Sequence, residues 1–394
     1  MTVSDQPNDL LSDEDDDFLK EKVASDTGVE DEKDSSETEP VIMEPFDPTA
    51  IRMETRQQSL DVLIKRLRDD AIDLHPDFQR AEGIWNDAKK SRLIESILIR
   101  IPLPAFYMDA TDEDRYLVID GLQRLTTLKR FVVEKSLKLT GLEFLRDYED
   151  KGFDDLPRGM QRRIEETQVT VYLVQRGTPS AVKFNIFKRI NTGGEPLSPQ
   201  EIRNALNQGP ATQLLKALSV SQEFRNATDN SVKAIRMADK EIILRALAFM
   251  LTSPDGFKGG DLDGFLNDTM VTIGKMSPDQ REVLQQRFLR AMRWSYEIFG
   301  NKAYRKLYLN GSTIRRGTVS KPLFETWVVN LDLLDDEHLR ILRRRNENLI
   351  KRFAKMQRDD EEFLKAITYA TGDRNRVKLR FERIQQIIQE VLNG

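Results

Sequence analysis

The feature that most constrains the fold of this chain is a buried strand that runs directly into a helix. Residues 116–119 are aromatic, aliphatic or β-branched, which favours a strand inside a core. Asp120 and Gly121 form a turn pair. After it, apolar residues recur at helical spacing, at Leu122, Leu125, Leu128 and Val132. A strand followed so closely by a helix is typical of an α/β unit.

Such a junction also predicts an anion site. The start of a helix leaves backbone N–H groups free and carries the positive end of the helix dipole. Gln123 and Arg124 follow on the first helical turn, with Thr126 and Thr127 beside them. These groups together suit an anion, most simply a phosphate. The alternative is a tight turn in which Arg124 is only a surface charge.

Cysteine and histidine usage excludes several classes of site. The 394 residues contain no cysteine and two histidines, His75 and His338. Disulfides, thiolate zinc sites, cysteine nucleophiles and a standard HNH nuclease centre are therefore not expected. No apolar run approaches the roughly 20 residues needed to cross a bilayer, and the N-terminus is too acidic for a signal peptide. We expect a cytoplasmic protein without membrane association.

The charges are distributed unevenly along the chain. Residues 1–47 hold 17 acidic and 3 basic residues, so the remainder keeps 49 of the 66 acidic and 58 of the 61 basic residues. The first segment predicts a disordered acidic tail, which either solubilises the chain or covers a basic surface as a nucleic-acid mimic. The basic remainder favours nucleic-acid binding, although a mixed-sign helical surface would also carry such an excess.

Hydrophobic periodicity divides the rest into two domains, at residues 48–206 and 207–394. The first alternates helices with strands, and Ser198 with Glu201 forms a capping box for a helix that begins at Pro199. The second is almost entirely helical. Its predicted helices lie at 241–251, 281–299, 323–334, 338–356 and 377–392, with a surface turn at 259–264. Basic clusters at 343–345, 351–352 and 374–383 predict either a nucleic-acid contact or a solvated helix face.

Three stretches together resemble the N-terminal domain of GmrSD-type modification-dependent restriction enzymes, a family marked by a D-G-Q-Q-R motif. They are P-D-F-Q-R at 76–80 followed by Trp85, V-I-D-G-L-Q-R-L-T-T-L at 118–128, and F-K-R-I-N-T-G-G-E-P-L-S-P-Q-E-I-R at 187–203. The resemblance covers roughly residues 55–206. It implies an α/β (α+β) domain of the ParB and sulfiredoxin type, followed here by a mostly α-helical domain. Sulfiredoxin chemistry itself needs a cysteine, which this chain lacks.

The resemblance also implies a set of site residues. Asp120, Gln123 and Arg124 would be catalytic, with Asp120 holding Mg²⁺ or orienting water. Nucleotide phosphates would be held by Gln79, Arg80, Gly121, Arg124, Thr126, Asn191, Thr192, Gly193 and Gly194. Leu122 departs from the family motif, which has Gln there. The structural alternatives are a buried hydrogen bond for Gln79 and Arg80 and a helix C-cap for residues 191–194.

The function implied is that of a nucleotide-binding regulator associated with DNA in a restriction or phage-defence system. Its cofactors would be a nucleoside triphosphate and Mg²⁺, and its expected activity is Mg²⁺-dependent hydrolysis of that nucleotide. Because an HNH domain is not expected, cleavage would come from a separate nuclease or other defence protein. The alternatives are a non-enzymatic DNA-binding module and an interaction scaffold with a degenerate nucleotide site. The sequence leaves open the nucleotide, the partner and whether the chain forms a homo-oligomer.

Overall fold

The computed structural model describes residues 27–30, 51–74, 85–190, 197–311 and 313–394. Within them, the chain from 51 to 206, the sheet region, forms a mixed β-sheet with helices on both faces, and the chain from 207 onward, the helical region, is mostly α-helical. The predicted succession of an α/β part and a helical part is therefore confirmed.

The sheet has the strand order β1-β5-β3-β4-β2. Its strands are β1 (Met53–Ser59), β2 (Ile72–Asp73), β3 (Phe106–Ala110), β4 (Tyr116–Asp120) and β5 (Gln168–Gln175). β1 runs antiparallel to β5, β5 parallel to β3, β3 antiparallel to β4, and β4 parallel to β2. Since β2 and β4 are parallel, both end at the same edge of the sheet.

Alternate side chains of the strands pack into two apolar layers, one on each face of the sheet. Val118 faces a larger cluster with the helices of one layer, while the neighbouring Ile119 faces a smaller cluster with the helices of the other, as a strand's period of two requires. The first layer contains α1 (Leu60–Arg68), α2 (Asp87–Leu98), α3 (Leu122–Leu128) and α4 (Arg158–Glu166), and the second contains α5 (Ser180–Ile190) and α6 (Pro199–Leu206). Ser198 and Glu201 form the predicted capping box at the start of α6.

The helical region has one extended apolar core. Its helices are α7 (Pro210–Ser219), α8 (Gln222–Ala227), α9 (Ala238–Leu251), α10 (Leu262–Lys275), α11 (Pro278–Phe299), α12 (Lys321–Asp332), α13 (Asp336–Arg344), α14 (Asn346–Asp359), α15 (Glu361–Ala366) and α16 (Arg374–Asn393). In the described part of the chain, none of these or the preceding helices combines the length and the apolar character needed to cross a membrane.

Three predictions for the helical region are wrong in detail. An antiparallel hairpin of β6 (Arg305–Asn310) and β7 (Thr313–Val319) interrupts the helices, and its basic residues obscure the strand pattern. The helix predicted over 338–356 is broken at Arg345, which lets Leu342 and Leu349 on both sides of the break be fully buried. The turn predicted over 259–264 ends at Asp261, and residues 262–264 begin α10, because the Asp261 carboxylate accepts the Gly264 N–H and caps the helix.

The acidic tail also departs from the prediction. Residues 27–30, which lie inside the segment expected to be disordered, are ordered, and Val29 forms a parallel β-bridge with Val319. The remainder of residues 1–47 lies outside the described residues. Four residues of the tail therefore belong to the folded structure of the helical region.

Candidate functional site at the end of strand β4

The turn between β4 and α3 requires glycine. Gly121 has φ +102°, a left-handed conformation that residues with a Cβ rarely adopt. A Cβ at this position would lie 2.6 Å from Cδ1 of Phe106, on the neighbouring strand β3. The turn thus brings the start of α3 close against β3, with Asp120 at the last position of the strand.

Arg124 points into the sheet region. It is 8% exposed, so the alternative that it is only a surface charge is wrong. Its Nη2 donates to Oδ2 of Asp120 at 2.8 Å and to the carbonyl oxygen of Ala105 at 3.2 Å, and its Nη1 donates to the carbonyl oxygen of Pro104. The guanidinium lies 4.6 Å from the centroid of the Phe106 ring. Arg124 therefore joins the end of β4 to the segment that enters β3.

The Asp120–Arg124 pair is partly withdrawn from water. Burial raises the pKa of Asp120, and Arg124 and the Gly121 N–H oppose this shift. Burial lowers the pKa of Arg124, and Asp120 opposes that shift. The side chain of Asp120 is 25% exposed against 10% for Arg124. The carboxylate is thus the member of the pair that a ligand can reach, with a buried positive charge behind it.

Two tyrosines that the sequence did not single out lie beside this pair. Tyr107 is the register partner of Asp120 on β3, and its ring stacks on Tyr172 of β5 with centroids 4.8 Å apart. Burial raises the pKa of Tyr107, and Tyr172 and Asp120 add to this shift. Tyr107 lies on β3 and Tyr172 on β5, and the pairing of these two strands brings the rings together.

The remaining motif residues divide into described and undescribed ones. Gln123 and Thr126 are half-buried on α3, whereas Thr127 is buried and donates from Oγ1 to the carbonyl oxygen of Gln123 at 2.7 Å. The two other predicted groups lie outside the described residues; they are Gln79, Arg80, Asn191, Thr192, Gly193 and Gly194.

Described residues next to the first motif and within the third lie near strand β4. Leu74 follows β2, which runs parallel to β4 with Asp73 opposite Leu117. Ile190 and Leu197 belong to the third motif, and both pack against the apolar cluster that contains Ile119 of β4. These contacts connect the described parts of both motif regions to β4.

A comparison with known families supports the resemblance. Residues 61–208 match the family model described as the N-terminal domain of the GmrSD restriction endonuclease. These residues form a GmrSD-type N-terminal domain. No curated protein matches the chain.

The GmrSD-type domain accounts for the sheet region and its three motifs. The description of the family names a restriction endonuclease, and the match covers residues 61–208 of the 394. The matched segment ends at residue 208, before α7, and most of the helical region therefore lies outside it. Leu122 packs against the larger apolar cluster of the GmrSD-type domain.

The surroundings of Asp120 limit how a metal ion could be held. Among the described residues, no three His, Asp or Glu side chains are grouped closely enough to bind a metal ion. Mg²⁺ usually retains water and binds through one or two carboxylates together with substrate phosphates. A magnesium ion at Asp120 would therefore depend on a nucleotide for most of its ligands.

Several arginines in the basic clusters of the helical region form internal ion pairs. Arg343 pairs with Glu297 at 2.7 Å, and Arg352 pairs with Glu390 at 2.8 Å. Arg380 is fully buried and binds Glu325. These contacts account for three arginines of the clusters, and a nucleic-acid contact and a solvated helix face both stay predictions for the clusters as a whole.

Proposed function

We propose that the GmrSD-type domain binds a nucleoside triphosphate at the end of β4 and that the chain associates with DNA in a restriction or phage-defence system. The observation that carries this proposal is the geometry of Asp120, a partly exposed carboxylate at the end of β4 with the buried charge of Arg124 behind it. A carboxylate supported in this way suits a magnesium–phosphate ligand.

The described residues suggest a division of roles. The carboxylate of Asp120 would bind Mg²⁺ or orient water, and Gln123 and Thr126 would contact phosphate from the half-buried side of α3. Arg124 would act from beneath, because its donors already bind Asp120 and two backbone carbonyls. Its charge would offset that of the phosphates while its bonds hold Asp120 in place. The undescribed motif residues would complete the site; they are Gln79, Arg80, Asn191, Thr192, Gly193 and Gly194.

Hydrolysis in this proposal needs few protein groups. Phosphoryl transfer to water depends mostly on positioning and on charge stabilisation by the metal ion and its ligands. Asp120 and Gln123 would orient the water, and the charge stabilisation by Mg²⁺ would make the reaction slow in its absence. Because the chain has only two histidines, a standard HNH nuclease centre is not expected in it, and the proposal assigns DNA cleavage to a separate nuclease.

Calorimetry with ATP, GTP, CTP and UTP in the presence of Mg²⁺, with and without DNA, tests the proposal. We expect one of the four nucleotides to bind. Asp120→Asn should remove the Mg²⁺-dependent part of its affinity. Gln123→Ala should weaken binding about tenfold, because one charge-assisted hydrogen bond to the phosphate is lost. Gln213→Ala, at an exposed position on α7, is the matched control for the glutamine change. Binding that is equal in all variants, or absent for all four nucleotides, would overturn the proposal.

A second candidate is a non-enzymatic DNA-binding or interaction module whose nucleotide site is degenerate. Two observations favour it: Leu122 is packed against the apolar cluster, and the donors of Arg124 bind the chain itself. This candidate predicts no phosphate release from any nucleotide and a DNA affinity that falls steeply with salt. Phosphate release that depends on Asp120 would exclude it.

A further inference from the structure

The helical region holds a four-residue segment of the acidic tail in a fitted cleft. The Glu30 N–H donates to the carbonyl oxygen of Val319 on β7, and the Lys233 N–H donates to the carbonyl oxygen of Thr27, both at 2.8 Å. Val29 lies between these bonds and is 1% exposed. The segment Thr27–Glu30, which we call the anchor, thus adds to the edge of the β6–β7 hairpin by backbone pairing.

Side-chain fit makes the cleft selective for this sequence. Gly28 has φ +75°, and a Cβ there would overlap the carbonyl oxygen of Ser231. Lys306, whose side chain is 5% exposed, donates from Nζ to Oε1 of Glu30 at 2.6 Å. The contact therefore combines a glycine with a left-handed φ, a buried aliphatic residue and a carboxylate paired with a buried lysine.

The anchor lies within the most acidic part of the chain. Asp26 precedes it in the sequence, Asp31 and Glu32 follow it, and residues 1–47 carry 17 acidic and 3 basic residues against 49 and 58 in the remainder. The side chain of Lys233, whose amide binds the anchor, is exposed. A tethered segment also has a high effective concentration at its own site, so even a short anchor can stay bound.

We propose that the anchor is an autoinhibitory contact that keeps the acidic tail on the helical region, where the tail lowers the affinity of the chain for nucleic acid. The proposal rests on the proposed DNA association for the identity of the competing ligand. The contact itself is defined by the cleft. Release of the anchor removes a local excess of negative charge from the basic remainder of the chain, so polyanions bind more tightly.

Two uncharged substitutions in the full chain test the proposal. Gly28→Ala introduces the overlapping Cβ, and Val29→Ala removes the buried side chain. Gly159→Ala, where the structure has open space, is the matched control for the first. Hydrogen exchange at the amides of Glu30 and Lys233 reports docking. Titration with heparin and with a double-stranded DNA of arbitrary sequence reports polyanion affinity.

We expect both variants, but not the control, to lose protection from hydrogen exchange at the amides of Glu30 and Lys233. Both variants should also bind heparin and DNA about fivefold more tightly at low salt, a change in affinity of the size that about one exposed ion pair contributes. The difference should shrink as salt rises. Unprotected amides in the unmodified chain, or release of the anchor with unchanged heparin affinity, would overturn the proposal. If DNA fails to bind while heparin affinity rises on release, the inhibitory contact stands and the proposed DNA association is what fails.

Discussion

Replacement of Arg124 by alanine distinguishes a structural role of this residue from direct nucleotide binding. Arg124 is buried and donates to the carbonyl oxygens of Pro104 and Ala105 and to the carboxylate of Asp120. Its removal leaves two carbonyls without this donor and a three-quarters-buried carboxylate without its cation. We therefore expect the substitution to damage the sheet region even in the absence of any ligand.

The magnitude follows from these contacts. Breaking a buried ion pair by removal of one partner costs about 3–5 kcal/mol, and Asp120 keeps enough exposure to place the loss at about 3 kcal/mol. Burial already raises the pKa of Asp120, and without the opposing charge of Arg124 that pKa should rise further. Part of the lost stability should then return as pH falls, because the carboxyl group becomes neutral.

Urea denaturation, monitored by hydrogen exchange at the amides of β3 and β4, measures the loss of stability in the sheet region separately from the helical region. Asp120→Asn in the Arg124→Ala background should recover about 1–2 kcal/mol, because the uncompensated charge is then gone. Arg130→Ala, which removes a more exposed arginine paired with Asp87, is the control and should cost less than about 1 kcal/mol. If Arg124→Ala abolishes nucleotide binding but leaves the stability of β3 and β4 unchanged, our assignment of Arg124 as a positioning residue is incorrect.

Three further predictions concern stability. Glu95→Gln should lower the free energy of unfolding by about 3 kcal/mol, because the buried carboxylate accepts the N–H groups of residues 143–145. These bonds hold the Glu95 pKa below its ordinary 4.5, against the opposing effect of burial. In urea melts, the stability difference between the variant and the unmodified chain should therefore shrink as pH falls below that value. Gly121→Ala should lower the urea midpoint by the equivalent of about 1–3 kcal/mol, and equal midpoints for it and Gly159→Ala would contradict the need for a left-handed turn. Glu325→Gln should lower the free energy of unfolding, measured by calorimetry, by about 3–5 kcal/mol, because the fully buried Arg245 and Arg380 share this carboxylate. A loss below about 1 kcal/mol would show that the two arginines do not depend on the charge of Glu325.

The sequence by itself determined the elements that depend on local pattern. The strand and helix around Asp120 and Gly121 and the capping box at Ser198 were predictable, because apolar periodicity and cap chemistry act within a few residues. The three family motifs also identified the GmrSD-type domain from sequence.

Only the tertiary structure decided which groups meet. The direction of the Arg124 side chain depends on the Pro104 and Ala105 carbonyls, and the stacking of Tyr107 on Tyr172 depends on the pairing of β3 with β5. No short stretch of sequence encodes either contact. The same holds for the anchor: Thr27–Glu30 lies in a segment with a disordered composition, yet it is ordered because a hairpin nearly 300 residues away supplies a strand edge and the cation of Lys306.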